Sequence, residues 1–200
     1  MVKHVFVETN FIIETLRPFP TQDAEQLLAR NGVDVKLHLP WCSVTEAKRT
    51  LERIIREDLA FPEDAGRYVG RLQKQHQGRA PIDAAAVNTF INMARDRRLN
   101  ALSSFVSDVD ALAAQVQVIP PSPSVVTRTL SLFPVKSLPP FDEMVLGAVL
   151  TQAGALHASG ETALYFCNLN TKDFTPTTGN KLGAEYAAVG LQYLDSFKVP

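Results

Sequence analysis

Short apolar runs follow one another along the chain with longer helical segments between them, which predicts strands and helices in turn. Short runs rich in β-branched and aromatic residues predict five buried strands, at 4–8, 35–40, 116–119, 163–167 and 191–195. Apolar residues at helical spacing predict the intervening helices, at 10–16, 21–30, 43–58, 63–76, 83–98, 104–114, 123–132 and 141–158. Strands that alternate with helices in this way are typical of an α/β fold with a central parallel sheet of about five strands.

The length of 200 residues fits one domain. We therefore predict a single domain over 1–200, with a helical insertion around 62–100 and a proline-rich loop region around 120–140. Thr21 and Ser122 are predicted to cap the helices that follow them, the second with Pro123 at the first helical position.

Composition narrows the class of protein. Hydrophobic residues make up 46% of the chain, enough for a core, and the net charge of -1 gives no global attraction for nucleic acid. Cys42 and Cys167 lie in apolar segments and do not suggest a disulfide framework, which fits a reducing cytoplasm. There is no signal-peptide pattern and no apolar run near the roughly 18–20 residues of a membrane span. We expect a soluble, cytoplasmic protein that does not contact a membrane.

Several common site motifs are absent from the sequence. No Gly-x-Gly-x-x-Gly or Walker-type loop follows the first strand, which argues against dinucleotide-binding domains and P-loop nucleotidases. No Cys-x-x-Cys, His-Glu-x-x-His or Gly-x-Ser-x-Gly occurs, so zinc proteases and α/β-hydrolases are also disfavoured. The four histidines are scattered through the chain.

Four acids lie beside predicted strand ends or helix starts: Glu8, Glu46, Asp142 and Asp173. Ligands of parallel α/β sheets collect beyond the carboxyl ends of the strands, where these acids are expected to converge. Clustered carboxylates can hold a divalent cation, and the pattern therefore indicates metal-dependent phosphodiester chemistry.

Each acid also has a structural explanation. Ser43 and Glu46 have the spacing of a capping box. Asp142 could oppose a helix dipole, and Asp173 could serve a turn. Glu8 is the hardest to explain this way, because a charge that closes a buried strand is costly unless it is paired or bound to a cation.

Four segments together resemble the motifs of the PIN-domain family, the metal-dependent ribonucleases that include VapC-type toxins. They are 5–10 (VFVETN), 43–46 (SVTE), 141–148 (FDEMVLGA) and 166–174 (FCNLNTKDF), and their order and spacing hold over most of the chain. Two departures occur: Glu8 stands where the family usually has Asp, and Asn170 offers a neutral carbonyl with Asp173 nearby. A longer side chain at the first position moves the carboxylate oxygens and can detune a metal site.

The resemblance implies a three-layer α/β/α PIN-like fold and an endoribonuclease site that uses Mg²⁺ or Mn²⁺. The ion would lie on Glu8 and Asp142, with Asp173 or Asn170 completing the set, while Glu46 would bind a second ion or position the attacking water. Three residues are expected to support these groups through hydrogen bonds: Thr9, Asn10 and Thr171.

RNA is the expected partner, and eleven of the 20 Lys and Arg residues fall between Lys48 and Arg98. The candidate RNA-binding residues are Lys136, Arg49, Arg53, Arg67, Arg71 and Lys74. A solvated helix face is the alternative, because acids are interleaved with these bases.

Three functions stay open at this point: a toxin-like or RNA-processing ribonuclease, a PIN-like module that has lost catalysis and binds RNA or protein, and a nucleotide-binding α/β protein without a glycine loop. An antitoxin or other protein partner and a homodimer also stay open.

Overall fold

The computed structural model describes residues 2–16, 20–75, 84–132, 138–177 and 181–200. Within them the strands are β1 (Lys3–Phe6), β2 (Val35–Pro40), β3 (Gln117–Ile119), β4 (Leu164–Cys167) and β5 (Leu191–Leu194). The helices are α1 (Thr9–Leu16), α2 (Gln22–Ala29), α3 (Trp41–Gln75), α4 (Ala84–Gln115), α5 (Pro123–Leu132), α6 (Pro140–Ala158), α7 (Thr171–Phe174) and α8 (Leu182–Ala188).

The five strands form one sheet in the order β3-β2-β1-β4-β5, and every pair is parallel. This confirms the predicted fold class, an α/β fold around a five-stranded parallel sheet. The chain builds outward from β1 to β2 and β3, and then returns to place β4 on the other side of β1. The strand order therefore reverses between β1 and β4, the kind of position where α/β sheets bind ligands.

Helices cover both faces of the sheet, which gives three layers. On one face Phe6, Leu164 and Phe166 are fully buried in a cluster with the apolar side of α6. The opposite face carries Val5 and Leu37, which are equally buried. Burial on both faces fits the continuous apolar sequence of β4 (LYFC), whereas β2 (VKLHLP) still alternates.

The chain divides into two compact units. The first, formed by 1–47 and 108–200, contains the sheet, and the second is formed by Lys48–Ser107. The predicted insertion at 62–100 lies inside the second unit, and its status as an insertion in a single domain stays a prediction. The proline-rich region at 120–140 contains α5, and residues 133–137 lie outside the described part.

The helices at 41–75 and 84–115 are longer than predicted. We expected separate helices at 43–58 and 63–76, but α3 continues through Pro62. A proline costs its helix one hydrogen bond and local strain, about 3 kcal/mol, which the remaining turns of a 35-residue helix can outweigh. The predicted helices at 83–98 and 104–114 are also joined, in α4, because no glycine or proline lies between them to stop the helix.

Local capping agrees with the sequence in one place and not in another. The Ser122 hydroxyl accepts a hydrogen bond from the amide of Val125 at 3.3 Å, as predicted for an N-cap. Thr21 occupies the N-cap position of α2, but its side chain makes no capping bond. The short helices α7 and α8 were not predicted. Within the described residues, no helix combines the length and the apolar character needed to cross a bilayer.

Candidate functional site

Glu8 lies two residues after the end of β1, at the carboxyl edge of the sheet and directly before α1. Its backbone carbonyl accepts the amide of Phe11, and its Oε2 accepts the amide of Asn10 at 2.9 Å, so one carboxylate oxygen caps α1. The residue is only 5% exposed, and its other oxygen, Oε1, is buried with no hydrogen-bond partner. Capping of α1 therefore explains the position of Oε2, but it does not explain why Oε1 is buried without a partner.

Glu46 lies on α3, and its carboxylate is hydrogen-bonded by a residue at the start of α1. The hydroxyl of Thr9, the residue next to Glu8, donates to Glu46 Oε2 at 2.5 Å, which ties the second predicted acid to the start of α1. The capping-box explanation is wrong, because α3 begins at Trp41 and Ser43 is already inside the helix. Ser43 Oγ is buried and lacks a partner.

Asp142 lies in the first turn of α6 and is half-buried, so the helix-dipole explanation still applies to it. Its charge nevertheless reaches Glu8. Burial raises the pKa of Glu8, the hydrogen bonds from Asn10 oppose this effect and the charges of Glu46 and Asp142 add to it, so that the pKa lies at about 8. The structure therefore brings three of the four predicted acids into one electrostatic group.

The fourth predicted acid lies on α7, the short helix after β4. Asn170 donates from Nδ2 to Asp173 Oδ2 at 2.9 Å, so these two candidate ligands are bonded to each other. This bond is the local role that the turn explanation anticipated for Asp173. Thr171 begins the helix and is exposed. Because β4 neighbours β1, α7 starts from the same edge of the sheet as Glu8.

Three residues at this edge were not singled out from the sequence. Asn168 follows β4 and is fully buried, Tyr193 lies on β5, and Asp195 follows β5. Tyr193 donates to the carbonyl of Asn168 at 3.1 Å. Burial raises the pKa of Tyr193, and the charges of Asp195 and Glu8 add to that effect. Asn168 and Asp195 each follow a strand directly and so had a sequence signal similar to that of Glu8, whereas Tyr193 looks like an ordinary strand residue.

The cysteines near this edge do not add reactive groups to it. Cys42 and Cys167 are both free and buried. Burial raises the pKa of the Cys42 thiol to about 11 and that of the Cys167 thiol to about 12, so both stay protonated at neutral pH.

The candidate RNA-binding residues lie mainly in the second unit. Arg49, Arg53, Arg67 and Arg71 are exposed on α3, and the continuous helix keeps Arg67 and Arg71 on one face. Arg67 contacts Asp64 at 3.1 Å, one turn away, which fits the solvated-face alternative in part. Lys136 and the side chain of Lys74 lie outside the described residues.

The donor set at the carboxyl edge consists of hard oxygen ligands, which suit Mg²⁺ or Mn²⁺. The buried, unpaired Oε1 of Glu8 also fits a cation, because a positive charge would offset both its burial and the repulsion from Glu46 and Asp142. Among the described residues, no three acid, histidine or cysteine side chains already lie close enough to hold one ion. The group is therefore chemically suited to an ion without being preassembled around one.

No protein-family model matches this sequence, and no curated protein matches it either.

Proposed function

We propose that the protein is a PIN-like, metal-dependent endoribonuclease whose site is the acidic group at the carboxyl edge of β1. The observation that carries this proposal is Glu8 Oε1. It is a buried carboxylate oxygen without a partner, at the end of a central strand, with two further acids acting on it. Such an arrangement is destabilising unless a proton or a cation completes it.

Glu8 and Asp142 would hold Mg²⁺ or Mn²⁺, with Asp173 or Asn170 completing the set. When bound, the ion supplies positive charge to a phosphate oxygen and makes a water molecule more acidic. Glu46 is fixed by Thr9 at 2.5 Å, which suits it to orient a water molecule or to accept its proton. Asn10 restrains Glu8 Oε2 and leaves Oε1 free to turn toward the ion.

RNA as the substrate is supported by the resemblance and by the exposed arginines of α3. Arg53 and Arg71 are exposed, as a phosphate-tracking surface requires. Because the whole chain carries no excess positive charge, we expect binding to weaken steeply with salt only if such a local patch is used.

The second candidate is a PIN-like module that binds RNA or protein without cleaving. Two observations favour it: Glu8 replaces the family's Asp, and no three potential ligands are preassembled in the described part of the chain. The group of Glu8, Glu46 and Asp142 argues for the nuclease, because a binding module has no physical need to keep like charges together.

The test is cleavage of a mixed pool of single-stranded and structured RNA with Mn²⁺, with Mg²⁺ and with EDTA. The variant is Asp142→Asn, and the matched control is Glu143→Gln, since both remove one negative charge from the first turn of α6. We expect cleavage that needs the metal, a loss of at least about a hundredfold in Asp142→Asn, and activity near wild type in Glu143→Gln.

Thermal stabilisation by Mn²⁺ gives a second measurement on the same proteins. Wild-type protein that neither cleaves at high concentration nor shifts its melting temperature with metal would refute the nuclease and favour the binding module. Equal losses in Asp142→Asn and Glu143→Gln would instead assign Asp142 to the helix dipole alone.

A further inference from the structure

Asn168 is a buried amide with one half bonded and the other half unpaired. Its Oδ1 accepts the amide of Asn170 at 2.6 Å, and the side chain has no exposed surface. Its Nδ2, which carries two N–H donors, has no partner. The side chain cannot be flipped to solve this, because Nδ2 cannot accept a hydrogen bond from a backbone amide.

Asn168 and Glu8 occupy equivalent places on neighbouring strands. β1 and β4 pair with Phe6 opposite Phe166, and Glu8 and Asn168 each lie two residues beyond that pair in their own chain segment. Both side chains accept the amide two residues ahead, and each leaves one buried polar atom without a partner. The unpaired atoms are complementary, an oxygen and an N–H group, yet they do not bond to each other. Together they flank the point where the strand order reverses, which is the expected ligand position of such a sheet.

The loop that carries Asn168 is held in place by β5. Tyr193 donates to the Asn168 carbonyl at 3.1 Å, the Asn168 amide donates to the carbonyl of Leu194 at 3.0 Å, and Thr175 lies 3.4 Å from the Tyr193 hydroxyl. The Asn168 backbone is therefore fully bonded, and the side chain is restrained by Asn170. A donor so restrained is preorganised for a ligand that presents an acceptor.

We propose that Asn168 Nδ2 donates to a nonbridging phosphate oxygen of a phosphodiester lying across the β1–β4 junction. The identity of this ligand rests on the proposed function, while the unpaired donor does not. A phosphodiester presents two nonbridging acceptor oxygens. One can accept a hydrogen bond from Asn168 Nδ2 while the other lies toward Glu8. Asn168 is then a substrate-binding residue and not a metal ligand, because its free atom is a donor.

Two substitutions separate binding from a purely structural role. Asn168→Asp keeps the oxygen that accepts the Asn170 amide but removes the donor and adds a negative charge. Asn168→Ala removes both without adding charge. Gln192→Glu, an exposed position on β5, is the control for the same amide-to-carboxylate exchange. The probe is a fluorescein-labelled single-stranded RNA decamer, whose binding is followed by anisotropy in Ca²⁺ and in EDTA, with a gel to verify that it stays intact.

We expect Asn168→Ala to weaken RNA binding by about tenfold or more and Asn168→Asp to weaken it further, whereas Gln192→Glu stays within about twofold. Stabilisation by Mn²⁺ should survive in both Asn168 variants, since neither loses an ion ligand. Wild-type affinity in Asn168→Asp, or a loss in Asn168→Ala alone, would overturn the proposal and leave Asn168 a turn residue. Absence of RNA binding by wild type would overturn it as well. If the variants bind RNA with the expected order of affinities but wild type never cleaves it, the proposed nuclease function is wrong and the proposed role of Asn168 in RNA binding is supported.

Discussion

Replacing Glu8 by glutamine is the perturbation that most directly tests the candidate site. Without metal, the pKa of Glu8 is raised to about 8 from its ordinary value of 4.5. The folded protein therefore binds a proton that the unfolded chain has lost throughout this interval. The contribution of Glu8 to stability is fully present below pH 4.5 and is lost as the pH rises through 8.

The size of the effect follows from that interval. About 3.5 pH units at about 1.4 kcal/mol each give a loss of at most about 5 kcal/mol in the free energy of unfolding between pH 4.5 and 8. This is a ceiling, because side-chain rotation and water entry relieve a buried charge. The amide introduced by Glu8→Gln has no proton to lose in this range. The free energy of unfolding of the variant should therefore not show the decrease between pH 4.5 and 8 that Glu8 causes in wild type.

The assay is urea unfolding of wild type and Glu8→Gln in EDTA at pH 5, 6, 7, 8 and 9. We expect wild type and Glu8→Gln to have similar free energies of unfolding at pH 5. The variant should become increasingly more stable than wild type up to pH 8, and the difference should stay constant above pH 8. Glu25→Gln removes an exposed acid on α2 and is the matched control, which should not reproduce the stability gain of Glu8→Gln. Parallel curves for wild type and Glu8→Gln would refute the reasoning, because Glu8 would then ionise as an ordinary exposed acid.

Three further outcomes are expected. Mn²⁺ affinity measured by calorimetry should rise up to about tenfold per pH unit between pH 6 and 8, because the ion displaces the proton of Glu8, and a flat profile would exclude Glu8 as a ligand. Burial lowers the pKa of His38 to about 3, so the free energy of unfolding of wild type should fall as the pH drops from 6.5 toward 3. The His38→Gln variant should lose less of its free energy of unfolding over the same pH range. An equal loss in both proteins would exclude His38 as the cause. A methyl group at Gly147 would fall on Thr129, so Gly147→Ala should lose about 1–3 kcal/mol of unfolding free energy in urea, whereas Gly154→Ala on the same helix should not, and equal effects would contradict the packing argument.

Much of the fold could be predicted because each strand is a short apolar run bounded by breakers. β2 matches its predicted bounds, and the other four strands agree to within one or two residues. Helix ends inside 41–115 could not be predicted, since no local signal shows whether a helix continues through Pro62 or past residue 100. The four-residue helix α7 is too short to have a period.

The candidate site could be predicted only in part, for a physical reason. A carboxylate beside a strand end is visible in sequence, and the charges of Glu46 and Asp142 do act on Glu8 in the structure. The role of Asn168 is not visible, because it depends on which strand neighbours β1 and on which half of the amide is bonded. Ser43 shows the reverse error: its spacing from Glu46 indicated a cap, but the helix begins earlier and Glu46 pairs with Thr9.

The energetic position of Glu8 also bears on the choice between nuclease and binding module. At pH 8 an unpaired Glu8 carboxylate destabilises the fold by up to about 5 kcal/mol, a large share of the roughly 5–15 kcal/mol that holds a typical domain together. A glutamine could cap α1 through its carbonyl oxygen without that loss, so capping does not require an acid at this position. The carboxylate is advantageous only if it gains a cation or transfers a proton in the working protein. Both are properties of a reactive site, and neither is needed by a surface that only binds RNA.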